Sequence, residues 1–268
     1  MKAIGIVAGG VFRDSIRDRI AYGLVFFAVL LIAASFLLAQ LTAGQDVKII
    51  KDLGLAASSM IGLFIAVFFG IGLVTKEVER RSIYSLLSKP ITRSQFIVGK
   101  YLGLVMTLLI NLSVMAIALY LVLAYFEWVT PASVKAAWES SALDPRMLKA
   151  FALIGVELMV MTAVTLFFST FSSSFLSAVL AAGVYIVGHF GDDLKNLDVT
   201  VNSWLLPVLG RAAYYVMPNL SRLDVKAAVV HAEPITGAYM AVATLSSGLY
   251  ILTLLAGATI IFSRRDLQ

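Results

Sequence analysis

Four uncharged stretches, each long enough to cross a lipid bilayer, leave this chain few folds to choose from. Ile20–Gln45, Leu53–Thr75, Tyr101–Phe126 and Pro234–Ser263 contain no Asp, Glu, Lys or Arg. About 20 predominantly apolar residues span the hydrocarbon as an α-helix, and a helix satisfies its own backbone hydrogen bonds where no water can. A fifth stretch, Ala150 to Gly191, carries only Glu157 and His189 among acids and bases and is too long for one crossing. Its Phe168-Ser-Thr-Phe-Ser-Ser-Ser-Phe175 cluster suits a tight interfacial turn, which divides it into two spans. Six spans result, near 20–42, 53–75, 101–126, 147–168, 175–190 and 238–262. Composition agrees: 60% of residues are hydrophobic and 14% charged, against about 45–50% and about 25% in soluble domains. The expected fold is an all-α polytopic membrane protein in a single transmembrane domain.

Lys and Arg orient the spans. With the N-terminus inside, residues 1–19, 76–100, 169–174 and 263–268 face the cytoplasm and hold 12 of the 21 Lys and Arg. Both termini are then cytoplasmic, and residues 127–146 and 191–237 lie on the outer side of the cell (inner) membrane. The first uncharged run exceeds a signal-peptide core of roughly 7–15 residues, so it is expected to be a retained span. Val201–Leu220 is apolar enough to enter the membrane but contains Pro207, Arg211 and Pro218. Each proline removes a backbone donor, and a seventh crossing would place Arg264 and Arg265 outside. A re-entrant or interfacial outer segment is expected instead. Net charge of +5 reflects basic residues flanking apolar runs, and no nucleic acid partner is expected. With no cysteine, disulfides, thiolate metal sites and cysteine nucleophiles are excluded.

Two cytoplasmic pieces are patterned. In residues 1–19, Ala8, Phe12, Ile16 and Ile20 recur at four-residue spacing opposite Arg13, Asp14, Arg17 and Asp18, as in a helix lying on the inner leaflet. Residues 76–100 predict a helix from Lys76 to Ser88, charged at Glu77, Glu79, Arg80 and Arg81, then apolar or aromatic at Ile83, Tyr84, Leu86 and Leu87. Lys89-Pro90 ends it, and Thr92 with Gln95 has the spacing of a capping box that starts the next helix. Apolar side chains projecting from the membrane beside mixed charge suit a protein docking site; the competing reading is a basic loop resting on lipid headgroups.

Glu157 is the acid well inside a span. A charge at the bilayer centre costs at least about 2.5–3.5 kcal/mol on insertion scales, so it should face the bundle interior or be protonated. A place in the substrate path or dimer seam competes with a plain structural hydrogen bond. His189 precedes Asp192 and Asp193, a weak candidate for a metal ligand; no metal site is expected. Gly62, Gly70, Gly72, Gly99 and Gly103 suit close helix packing.

The run Gly72–Lys100, with Lys76-Glu77, Glu79-Arg80, Leu86-Leu87, Pro90, Arg93 and Gly99-Lys100, resembles the signature loop of ABC-2 type transporter permeases, closest to the branch of multicopper-enzyme and nitrous oxide reductase maturation permeases. Phe168–Ser174, Gly188-His189, Met217–Leu220 and the Phe262–Asp266 tail extend the resemblance over nearly the whole chain. It implies a six-span half-transporter of the type V exporter kind that forms a homodimer in membrane lipid and binds two copies of an ABC ATPase. The 76–100 loop would be its coupling helix, with Glu77, Glu79, Arg80, Arg81, Tyr84, Leu86, Leu87, Lys89, Pro90 and Arg93 in the ATPase contact. ATP and Mg would be bound by the ATPase, since this chain has no G-x-x-x-x-G-K-[ST] loop and is expected to be non-catalytic. An extracytoplasmic accessory protein stays open. An intramembrane enzyme would need a nucleophile–base pair or metal ligands at depth, and an ion-coupled transporter an internal repeat; neither is evident.

Overall fold

A computed structural model of the chain describes residues 2–40, 46–79, 92–136, 138, 140–190, 214 and 216–264. Among them all regular structure is helical: α1 Lys2–Ile16, α2 Arg19–Ala39, α3 Asp46–Glu79, α4 Arg93–Val129, α5 Ala132–Lys135, α6 Arg146–Ser169, α7 Ser174–His189, α8 Lys226–Val230 and α9 Gly237–Arg264. Five of these are long and apolar enough to cross a membrane: α2, α3, α4, α6 and α9. The sixth apolar helix, α7, has 16 residues, or about 24 Å at 1.5 Å per residue. The chain is an all-α polytopic membrane protein.

Helix α6 is the axis of the bundle. It packs against α3, α4, α7 and α9, and Leu153, Met161, Ala163 and Leu166 on its successive faces are all fully buried. Close approach to α3 depends on glycine, because a Cβ on Gly62 would meet Leu158 at 2.5 Å and one on Gly70 would meet Thr165 at 2.8 Å. Helix α2 buries only a narrow stripe, Ala21, Ala28, Ile32, Ser35 and Ala39. Its other faces expose Phe26, Phe27, Leu30, Leu37 and Leu38, as a helix does when its solvent is lipid or another membrane helix.

Several boundaries have local causes. Asp18 caps α2 by accepting the Ile20 N–H at 2.8 Å. Thr92 and Gln95 form the reciprocal capping box at the start of α4, with bonds of 3.4 and 3.2 Å. The predicted turn between α6 and α7 falls at Thr170–Ser173, where Ser173 caps α7 and the hydroxyls of Ser172 and Ser177 lie 2.7 Å apart.

Helix α1 packs along the first turns of α4. The side facing α4 is Val7, Ala8 and Val11, and the contact is at backbone range: a Cβ on Gly103 would lie 2.7 Å from the Ala8 carbonyl, and one on Gly99 2.7 Å from Val7. This face is turned from the Ala8–Phe12–Ile16–Ile20 stripe of the sequence reading. Val11 and Ser15 are buried, Phe12 and Ile16 are partly exposed, and Ile20 is 63% exposed.

Candidate functional site

Arg80, Arg81, Tyr84, Leu86, Leu87, Lys89 and Pro90 lie outside the described residues. Glu77 and Glu79 stand in the last turn of α3. Arg93, the first residue of α4, is placed in detail. Its guanidinium donates to the carbonyls of Phe262 at 3.0 Å and Ser263 at 2.7 Å, in the last turn of α9. Carbonyls in the last turn of a helix carry the negative end of its dipole, which favours a cation there. One turn on, the Phe96 ring stacks on Phe262 with centroids 5.9 Å apart, and the Lys100 ammonium sits 4.4 Å from the Phe96 centroid. The first turn of α4 is therefore fastened to the end of α9, and through Gly99 and Gly103 to α1.

A second constellation lies at membrane depth. Helices α6 and α7 run antiparallel from the serine turn. Counting from it, Glu157 stands about 18 Å up α6 and His189 about 22 Å up α7, so two ionisable groups 32 positions apart in sequence reach the same level. Glu157 is fully buried, and its Oε1 lies 3.5 Å from His189 Nε2. His189 Nδ1 is 3.0 Å from the Tyr185 carbonyl. Neither carboxyl oxygen of Glu157 nor His189 Nε2 has a hydrogen bond.

The stretch Met217–Val230 packs beside this pair. Leu220 and Ser221 donate backbone N–H bonds to the Gly188 carbonyl, at 3.0 and 3.4 Å, and a Cβ on Gly188 would strike the Pro218 carbonyl at 2.8 Å. The Met217–Leu220 and Gly188-His189 pieces thus meet. Leu220, Leu223, Val229 and Val230 are buried in the core, so this stretch packs into the bundle. It delivers Lys226, which pairs with Asp224 at 3.2 Å and donates to Ser59 of α3 at 3.3 Å. A cavity of about 380 Å³ lies beside them, lined by Asp52, His189, Ser221, Asp224, Lys226 and Ala227. Among the described residues no three His, Cys, Asp or Glu side chains stand together as a metal site would require.

Three cations pin the starts of α3 and α6 to neighbouring loops. Lys51, fully buried, donates to Ser140 Oγ at 3.0 Å and to the Ser141 carbonyl at 2.7 Å. Arg146 pairs with Asp144 at 3.3 Å and also donates to the Ala232 carbonyl. Lys149 donates to the Ile235 carbonyl at 2.8 Å. Sequence reading singled out none of Lys51, Ser59, Asp224 or Lys226. The available signal was the pair of charges Asp224 and Lys226 between the buried Leu223, Val225 and Val229.

Comparison with known proteins adds one finding. A family model described as an ABC-2 family transporter protein matches residues 6–267; it selects no branch within that family. No curated protein matches the chain.

Proposed function

The chain belongs to the ABC-2 family of transporter proteins, and from that membership we propose that it is the permease subunit of an exporter powered by a separate ABC ATPase. The observation that carries this reading is the extent of the match, which takes in most of α1, all of α2 to α9 and residues 76–100. An ATPase outside the membrane drives transport by displacing something that projects from it. In our reading that element is the 76–100 loop, received by two ATPase copies beneath a homodimer of this chain. Tyr84 and Leu87 supply buried contact, as interface anchors do. Glu77, Glu79, Arg80 and Arg81 set orientation by charge complementarity.

The contacts of Arg93 give the displacement somewhere to go. A push on the loop acts directly on α3 and α4; the Arg93 bonds to Phe262 and Ser263, with the Phe96–Phe262 stack, pass it to α9. Helices joined in this way move as a body instead of fraying singly. Outside, the segment around Met217–Val230 covers the bundle, and its displacement would open the outer half.

The test is co-purification of the chain with an ABC ATPase from its native membrane, followed by ATP-driven transport in proteoliposomes. Tyr84→Asp and Leu87→Asp should leave insertion intact and abolish ATPase binding. An unpaired carboxylate buried at such a contact costs about 3–5 kcal/mol, roughly two to four orders of magnitude in affinity. Lys135→Ala, on exposed α5, should change nothing comparable. Normal ATPase binding and transport by both Asp variants would show that the loop is not the coupling element.

A further inference from the structure

The hydrogen-bonding pattern around Glu157 and His189 implies a ligand. A carbonyl oxygen only accepts, so the 3.0 Å contact between His189 Nδ1 and the Tyr185 carbonyl requires the ring proton on Nδ1. In neutral imidazole that leaves Nε2 as a bare acceptor. Nε2 faces Glu157 Oε1 at 3.5 Å. If Glu157 is ionised and His189 neutral, two buried acceptors confront each other with no donor, and both Glu157 oxygens and Nε2 are without a hydrogen bond. That arrangement is among the most costly a protein interior can hold.

Among the described residues no side chain is hydrogen-bonded to Glu157 or to His189 Nε2. Lys226 directs two of its three ammonium hydrogens to Asp224 and Ser59 and makes no hydrogen bond to Glu157. Tyr101 of α4 donates to the Met159 carbonyl and Tyr250 of α9 to the Val216 carbonyl. Tyr239 donates to the Arg222 carbonyl, and Arg222 reaches Tyr214. Tyr185 has its hydroxyl against Ser59. Asp52 and Asp224 are acceptors. A gap of 3.5 Å between two heavy atoms admits one species.

We propose that Glu157 and His189 form a proton-binding site within the membrane bundle, holding one proton between Oε1 and Nε2. The proton rests on the carboxyl and is accepted by Nε2, or rests on Nε2 and is accepted by the carboxylate; in both forms the pair is neutral overall, the Oε1–Nε2 contact has a donor, and the shared proton would draw the two atoms closer than 3.5 Å. Access runs through the cavity that His189 lines, whose Asp52 rim is exposed. The bound proton joins α6 to the end of α7, and α7 carries the outer segment on the Gly188 carbonyl. Loss of the proton sets acceptor against acceptor and loosens that joint, so the closure of the outer half responds to pH. This assignment is independent of the ATPase reading.

The experiment measures thermal unfolding of the purified full chain in nanodiscs from about pH 6 to about pH 9. Glu157→Gln carries a permanent N–H donor at the same position and cannot lose it. The wild-type midpoint should fall by roughly 5 °C more than that of Glu157→Gln across this range, because rising pH removes the shared proton from the wild type alone. Coincident pH profiles would overturn the proposal. Should the variant fail to fold, ¹⁵N spectra of histidine-labelled wild type decide the matter, since the chain has two histidines. At neutral pH the His189 Nε2 signal should be that of a protonated or hydrogen-bonded nitrogen. A free, unbonded Nε2 would overturn the site.

Discussion

Lys51 hides its charge completely within the outer end of α3, and the Ser140 and Ser141 oxygens make that tolerable. Hydrogen bonds from charged groups contribute about 1.5–3 kcal/mol each. Lys51→Met is therefore expected to lower stability by roughly that amount and to free the loop before α6; a cysteine at Ser141 would react faster in the variant. Glycines divide by what surrounds them. Gly103 has the Ala8 carbonyl where a side chain would go, and Gly5 has nothing within 4 Å. Gly103→Val should cost about 1–3 kcal/mol by overpacking and dislodge α1, exposing a cysteine placed at Ala8. Gly5→Ala should be neutral or slightly stabilising, since alanine is favoured over glycine by about 1 kcal/mol in a helix. Equal behaviour of the two variants would mean that α1 does not dock on α4.

Among the elements, α4 and α9 are joined at the first turn of α4. Arg93→Gln should raise hydrogen exchange at the last turn of α9 around Phe262, with little effect at the outer end of that helix. In a reconstituted complex it should also lower transport per ATP hydrolysed; unchanged exchange at Phe262 would show that the contact carries no load. The sequence made most of these helices legible, because uncharged runs and the Thr92–Gln95 cap depend on local physics alone. The helix that carries the second uncharged run begins at Asp46, seven residues before Leu53. Lys48, Lys51 and Asp52 count against a membrane helix in any hydropathy reading, and what accommodates Lys51 is a loop some 90 positions away. Glu157 and His189 each drew notice singly. Their pairing depends on the lengths of α6 and α7 from the shared turn, and Lys226 reaches them through a fold of the outer segment that no periodicity encodes.

At the scale of the whole molecule, the positive-inside bias predicts that both ends of the chain are cytoplasmic. In a cysteine-free chain this is direct to measure. A cysteine at Gln268 should react with an impermeant reagent only after the membrane is permeabilised, and one at Lys135 should react without that step; labelling of Gln268 from outside would refute six crossings. The brevity of α7 has a further consequence, and it concerns the lipid. At about 24 Å this helix falls short of the roughly 30 Å hydrocarbon layer, while Phe175, Val179 and Ile186 on it are exposed. A short span draws the surrounding bilayer thinner, at fractions of a kcal/mol per Å of mismatch. With α7 as the sixth span, the membrane beside it would be under elastic strain and headgroups would dip toward the level of His189. Longer acyl chains increase that strain, so the protein should work fastest in thin bilayers and slow progressively as the chains lengthen.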